Sequence, residues 1–222
     1  MQSNSSSLKN YILVTGAYWV FTLSDGALRM LVLLHFYTLG YNALQIALLF
    51  LFYELAGIIT NLVGGWIGSR FGLKLTLIVG LCLQVFALSA LAGFDPSWPV
   101  WQAVSFVMTM QALSGVAKDL TKMSSKSLVK LVVADGQRSK LFKWVAILTG
   151  SKNALKGLGF FLGGGLLSWV GYTSALYLMA SSIAVSLIFV LITENMGKTA
   201  KKIKFSGVFS KKERINILSG AR

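Results

Sequence analysis

Lys152 and Lys156 stand one helical turn apart in the segment SKNALKG, half-way along a mostly apolar run, residues 141–169, that contains no acid. If that run crosses a bilayer, each cation costs about 2.5 to 3.5 kcal/mol on insertion scales and must face a bundle interior or a watery cavity. The counter-charge then comes either from carboxylates on neighbouring helices or from an anionic solute. Candidate carboxylates are Asp25, one turn before Arg29, then Glu54 inside the second apolar run, and Asp119 beside Lys118. Asp25 and Arg29 are spaced to pair on one helix face, either as a packing ion pair or as part of a binding site. Glu54 reads equally as a proton-coupling carboxylate or as an inert hydrogen-bonding group. Arg29, Lys118, Lys152 and Lys156 set against Asp25, Glu54 and Asp119 leave the group slightly positive. That balance favours an anion such as a phosphate or carboxylate ester. Arginine grips an oxyanion through a bidentate fork, whereas lysine holds it as a mobile point charge that can let go. Asn153 joins the candidate set because it adjoins Lys152, while Asn61, Gln84 and Gln111 are explained as well by interhelical hydrogen bonds as by a lined pathway. His35, at the end of the first run, reads as an interfacial hydrogen-bonding side chain more readily than as a proton relay.

The elements that must hold these groups are spanning helices. Of the 222 residues 55% are hydrophobic and only 13% are charged, and the mean hydropathy is +0.69. The apolar residues fall in blocks long enough to cross hydrocarbon about 30 Å thick. Six spans are predicted, over residues 11–37, 43–67, 75–94, 100–117, 141–169 and 174–193. The fold class is an all-α membrane protein: a polar segment 1–10, a six-helix bundle over 11–194 and a basic tail over 195–222. Residues 1–10 are Ser-rich and polar and lack the cleavage pattern of a signal peptide, so the first span is expected to remain.

A formal net charge of +14 would suggest a nucleic-acid partner in a soluble protein, but here its distribution describes topology. Lys9, then Arg70 and Lys74, then Lys122, Lys126, Lys130, Arg138 and Lys140, then Lys198, Lys201, Lys202 and Lys204 fall on alternate connections. The intervening breaks at 39–42, 95–99 and 170–173 hold no lysine or arginine. The positive-inside rule therefore puts both termini in the cytoplasm. Lys118, Lys122, Lys126 and Lys130 recur every fourth residue, which reads as a basic helix face toward lipid headgroups or as a cytoplasmic vestibule. The partners are thus a lipid bilayer and a small anion, with no nucleic acid. Cys82 is the one cysteine, which excludes an intrachain disulfide, and no metal cluster, nucleophile–base pair or phosphate-cradling loop argues for an enzyme or a cofactor.

Gly157, Gly159, Gly163, Gly164 and Gly165 smooth one side of the fifth span, permitting close helix approach or flexing. The stretch GGWIGSRFGLK resembles the signature loop of the major facilitator superfamily, with Gly65, Arg70, Gly72 and Lys74 on the pattern. Ser69 stands where that pattern has aspartate and Leu73 replaces a basic residue, so the usual charge latch of the inward gate is incomplete. The stretches NYILVTGAYWVFTLSDGALRMLVLLHF, LFYELAGIITNLVGGW, QALSGVAKDLTKMSSKS and LTGSKNALKGLGFFLGG are similar to the ArsJ group of organoarsenical exporters within that superfamily. This resemblance implies about twelve spans in two pseudo-symmetric halves, of which this chain carries the first, as a fragment, a truncated product or a half that pairs with another chain. It also implies a bacterial inner membrane and proton-coupled antiport of 1-arseno-3-phosphoglycerate. That ester arises when a glyceraldehyde-3-phosphate dehydrogenase uses arsenate, a functional link through which efflux confers arsenate resistance. Arg29, Lys152, Asn153 and Lys156 would then contact substrate, and Asp25, Glu54, Lys118 and Asp119 would carry protons or form ion pairs.

Overall fold

Long Leu, Ile, Ala, Val and Phe runs free of interior proline satisfy every backbone group within one segment, the condition for lying in hydrocarbon. Both prolines, Pro96 and Pro99, fall together in one connection. The computed structural model describes residues 2–132 and 138–193, and every described element is an α-helix. In order these are α1 (Gln2–Thr38), α2 (Ala43–Leu49), α3 (Leu51–Phe71), α4 (Leu73–Ala92), α5 (Val100–Val132), α6 (Arg138–Val170) and α7 (Tyr172–Ile192). The tail expected over residues 195–222 lies outside the described residues.

Six spans result, because α2 and α3 together make the second. Five helical stretches, Lys9–Thr38, Ala43–Gly68, Leu73–Ala92, Val100–Val129 and Tyr172–Ile192, are long and apolar enough to cross a membrane. Helix α6 equals α5 in length at 33 residues, but its lysines and glycines dilute its apolarity. The second span, predicted as one helix, breaks at Phe50. There the amide of Phe50 bonds to Ala47 O at 3.2 Å, a tightened three-residue step in a segment without proline or glycine. Asn42 starts α2 with a reciprocal capping box, its side chain accepting from the Gln45 amide and the Gln45 side chain accepting from the Asn42 amide, both at 2.9 Å.

Two tight turns need glycine. Gly72 (φ 91°) and Gly171 (φ 79°) occupy the left-handed region at the starts of α4 and α7, where a side chain would be strained. At Asp95, in the 93–99 connection, the carboxylate accepts from the Ser97 amide at 2.8 Å, and that bond holds its pKa below the usual value.

Helix α1 packs most extensively on α6, while α5 carries both α3 and α4, and α7 leans on α4. The α1–α6 seam is made by small residues. A Cβ at Gly26 would stand 2.6 Å from the Lys156 carbonyl, one at Gly159 would stand 2.5 Å from Leu23 O, and one at Gly163 would strike the Ala27 carbonyl. Gly159 and Gly163 therefore serve packing within this bundle, whereas Gly157 faces open space. At the bundle end that carries the 39–42, 93–99 and 171 connections, His35 stacks on Tyr172 with centroids 3.9 Å apart, and Phe36 and Phe94 surround the pair. The His35 Nε2 is buried without a hydrogen-bond partner, and the ring is held by aromatic packing.

The seam makes a direct test. Gly163→Ala should destabilise the detergent-solubilised chain by about 1–3 kcal/mol through overpacking, and Gly157→Ala should leave its thermal midpoint within experimental error, because open space surrounds that position. Equal midpoints for the two variants would refute the seam's role.

Candidate functional site

The seam brings the cations of α6 against the charges of α1. Asp25 and Arg29 project from α1, Tyr53 and Glu54 from α3 just after the break at Phe50, Lys118, Asp119 and Lys122 from α5, and Lys152 and Lys156 from α6. Asp25, Arg29, Glu54, Lys118, Asp119, Lys122, Lys152 and Lys156 all line one cavity of about 270 Å³, whose wall also includes Tyr18, Phe21, Thr22, Gly57, Ile58 and Asn61. Five basic side chains thus face three carboxylates, a formal excess of two positive charges.

The charges are unevenly paired. Arg29 Nη2 donates to Glu54 Oε1 at 2.6 Å, and Lys118 Nζ lies 3.8 Å from Glu54 Oε2. Asp119, buried to 2% exposure, accepts from Lys122 at 3.2 Å and has Lys118 at 3.9 Å. Lys152 and Lys156 have no carboxylate within 4.0 Å among the described residues.

The Asp25–Arg29 pair expected from helical spacing does not form. Arg29 turns to Glu54, and Asp25, only 4% exposed, instead accepts a hydrogen bond from the Tyr53 hydroxyl. The fully buried Tyr53 ring also carries Arg29 Cζ 4.2 Å and Lys118 Nζ 4.1 Å from its centroid, two cation–π contacts. Sequence reasoning missed Tyr53; its place beside Glu54, inside an apolar run, was the available signal. Lys122, read from sequence as lipid-facing or as part of a vestibule, is a wall residue. Lys118 and Lys122 line the cavity, and α5 runs unbroken past the span predicted to end at 117.

Asn153 is not brought to the cavity. It lies about 100° around α6 from Lys152 and is exposed elsewhere. Gln84 and Gln111 are fully buried away from the cavity, with Gln84 accepting from Ser114 at 2.8 Å. Close packing again sets the walls: a Cβ at Gly57 would meet Asp119 Oδ2 at 2.8 Å, and one at Gly115 would strike the Tyr53 carbonyl.

Gly65, Arg70, Gly72 and Lys74 cluster at the α3–α4 turn, apart from the cavity. Gly72 makes the turn, Arg70 Cζ sits 5.7 Å from the Trp66 ring centroid, and Gly65 meets nothing within 4 Å. Lys74 reaches across to the end of α7, donating to Thr193 O at 2.5 Å and Leu191 O at 3.4 Å. A cation on terminal carbonyls satisfies orphan acceptors and opposes the helix dipole.

Six helical spans, five of them long and apolar enough to cross a membrane, around one charged cavity give the architecture of a polytopic membrane protein of the transporter class. The sequence matches the Major Facilitator Superfamily model over residues 14–220, and the chain belongs to that superfamily. Its architecture is that of the N-terminal half of a twelve-helix transporter of this kind. It is similar to a crystallised variant of the peptide transporter POT in complex with sulfate, with a TM-score of 0.69 at 18% identity, over 96% of this chain and 43% of that one. The chain thus spans less than half the length of that transporter. Comparison with curated proteins gives no match.

Replacing Lys74 by Met should lower the thermal midpoint of the solubilised chain, costing about 0.5–2 kcal/mol for the lost cap. Lys74→Arg, which keeps charge and donors, should recover most of it. A midpoint insensitive to both would contradict the cap.

Proposed function

We propose that this chain is the N-terminal half of a bacterial inner-membrane secondary transporter that exports a small multiply charged anion, 1-arseno-3-phosphoglycerate, with both termini in the cytoplasm. The single observation that carries the reading is the cavity's formal excess of two positive charges, with Lys152 and Lys156 lacking any carboxylate within 4.0 Å among the described residues. Cations in that setting are stabilised by a guest carrying complementary charge. A substrate with an arsenate ester, a phosphate and a carboxylate-derived carbonyl, and no cation, meets that requirement. The ArsJ-like stretches quoted above supply arsenic as the particular element, since the cavity charge selects anions without distinguishing arsenate from phosphate.

In this reading Lys152, Lys156 and Arg29 contact the substrate. Asp25 or Glu54 carries the coupling proton; Asp25 is buried against the Tyr53 hydroxyl, and Glu54 is paired with Arg29 and Lys118. A second six-helix half would cover the unpartnered apolar side of α3, where Leu51, Phe52, Leu55, Ile59 and Leu62 are exposed. Arsenic resistance by efflux also presupposes the dehydrogenase that makes the ester.

An arsenic-sensitive bacterium expressing the chain with that dehydrogenase and a second half should gain arsenate tolerance. Lys152→Gln or Lys156→Gln should each reduce transport at least tenfold, since a lost charge-assisted contact is worth about 1.5–3 kcal/mol, while membrane insertion stays normal. Tolerance unchanged by either substitution would remove these lysines from the path. Vesicle uptake that 3-phosphoglycerate inhibits but arsenate chemistry does not require would redirect the assignment to a phosphorylated organic acid.

Topology has its own check. With Cys82 replaced by Ser, a cysteine introduced at Ser97 or Thr173 should react with an impermeant maleimide in intact cells, and one at Ser139 should react only after permeabilisation. The reverse pattern would invert the proposed orientation.

A further inference from the structure

Tyr53 is absent from the cavity wall, yet it touches charged groups on two of the helices that build it. Its side chain is fully buried, its backbone is seated on α5 where Gly115 leaves no room for a Cβ, and its one hydroxyl proton is spent on Asp25. Asp25 and Arg29 are separated by four residues on α1, a spacing at which carboxylate and guanidinium ordinarily meet. They do not meet here, because the carboxylate is taken by the hydroxyl while the guanidinium lies over the ring of the same tyrosine and reaches Glu54.

We propose that Tyr53 is a positioning residue that sets the anion affinity of the cavity by withholding Asp25 from Arg29. The proposal rests on the anion reading given above and adds to it the residue that directs Arg29 to the exposed carboxylate of Glu54 rather than to buried Asp25. A hydroxyl can satisfy a buried carboxylate without adding a cation to it. An Asp25–Arg29 pair would instead turn the guanidinium onto a carboxylate that is 4% exposed and leave Glu54, whose side chain is 57% exposed, to Lys118, so the group able to hold an oxyanion through two parallel bonds would be tied to a buried partner rather than an exposed one. The ring contributes separately. By attracting Arg29 and Lys118 to its face, it keeps both cations directed at the space between α1, α3 and α5.

The test is a cycle on the full chain purified in detergent, with 3-phosphoglycerate and sulfate as calorimetric probes. Tyr53→Phe keeps the ring and removes the hydroxyl, so it should weaken binding of 3-phosphoglycerate about tenfold. In an Asp25→Asn background the same substitution should change affinity less than about twofold, since no carboxylate remains to capture Arg29. A merely structural tyrosine would give equal losses in both backgrounds, which overturns the proposal. If Tyr53→Phe alone does not fold, Asp25→Asn and the double variant are compared directly, and a weaker double variant overturns it. A structure of Tyr53→Phe should show Arg29 moved onto Asp25; Arg29 still on Glu54 would refute the mechanism. A wild-type chain that binds neither probe overturns the anion reading and this proposal with it, whereas a binding wild type matched by Tyr53→Phe overturns the role of Tyr53 alone.

Discussion

Charge at bilayer depth is the constraint from which the rest of this bundle follows. Each ionised side chain there costs several kcal/mol unless it is paired or watered, and eight such side chains line one cavity. Dispersed on separate lipid-facing surfaces, they would oppose insertion. Gathered, they neutralise one another in part and share one water-accessible space. The helices are therefore arranged to bring α1, α3, α5 and α6 to a common centre, while apolar α4 and α7 pack behind them.

Gathering charges requires helices closer than ordinary side chains allow. Gly26, Gly159 and Gly163 bring the backbones of α1 and α6 into contact, and Gly115 does the same for α3 and α5. In lipid there is no hydrophobic gain from helix association, so backbone proximity and interhelical polar contacts provide the attraction. The same glycines that tighten the seam thus deliver Lys156 beside Asp25 and Arg29. Packing and electrostatics are one device: widening the α1–α6 seam would move the α6 lysines away from the α1 charges.

How legible this was depends on which physical signal each feature leaves. The spans are written in apolar run length, and the seam is foreshadowed by the glycines of α6. The charge cluster is announced by the expense of its members, so Asp25, Arg29, Glu54, Lys152 and Lys156 could be nominated one by one from positions inside their spans, and Lys118 and Asp119 from the edge of the fourth. Partner choice could not. The i to i+4 spacing of Asp25 and Arg29 describes what one helix permits, whereas Glu54 and Tyr53 arrive from another helix, at a rotation fixed by the break at Phe50 and by Gly115. Tyr53 was hidden because a tyrosine in an apolar run looks like core until its hydroxyl and ring are seen to be occupied. Lys122 was legible only as one of a basic series with two readings, because a four-residue repeat marks a helix face without saying what it meets. Asn153 was chosen by adjacency in sequence, and a single helical step turns it out of the cavity.

The α3–α4 turn shows the same reassignment of partners. The signature loop lacks its acid at Ser69, so a latch built on an Asp–Arg relay is not available in its usual form. Its last basic residue, Lys74, engages the carbonyls that close α7, and Arg70 sits beside the Trp66 ring. A lysine on helix-end carbonyls draws its strength from the helix dipole and from unsatisfied acceptors, neither of which changes with the protonation of an acid. The contact therefore ties α4 to α7 as a fixed strut. In the cavity, by contrast, Asp25 is buried and partnered by the Tyr53 hydroxyl. The turn thus ties helices of the bundle together, and the cavity gathers its charges.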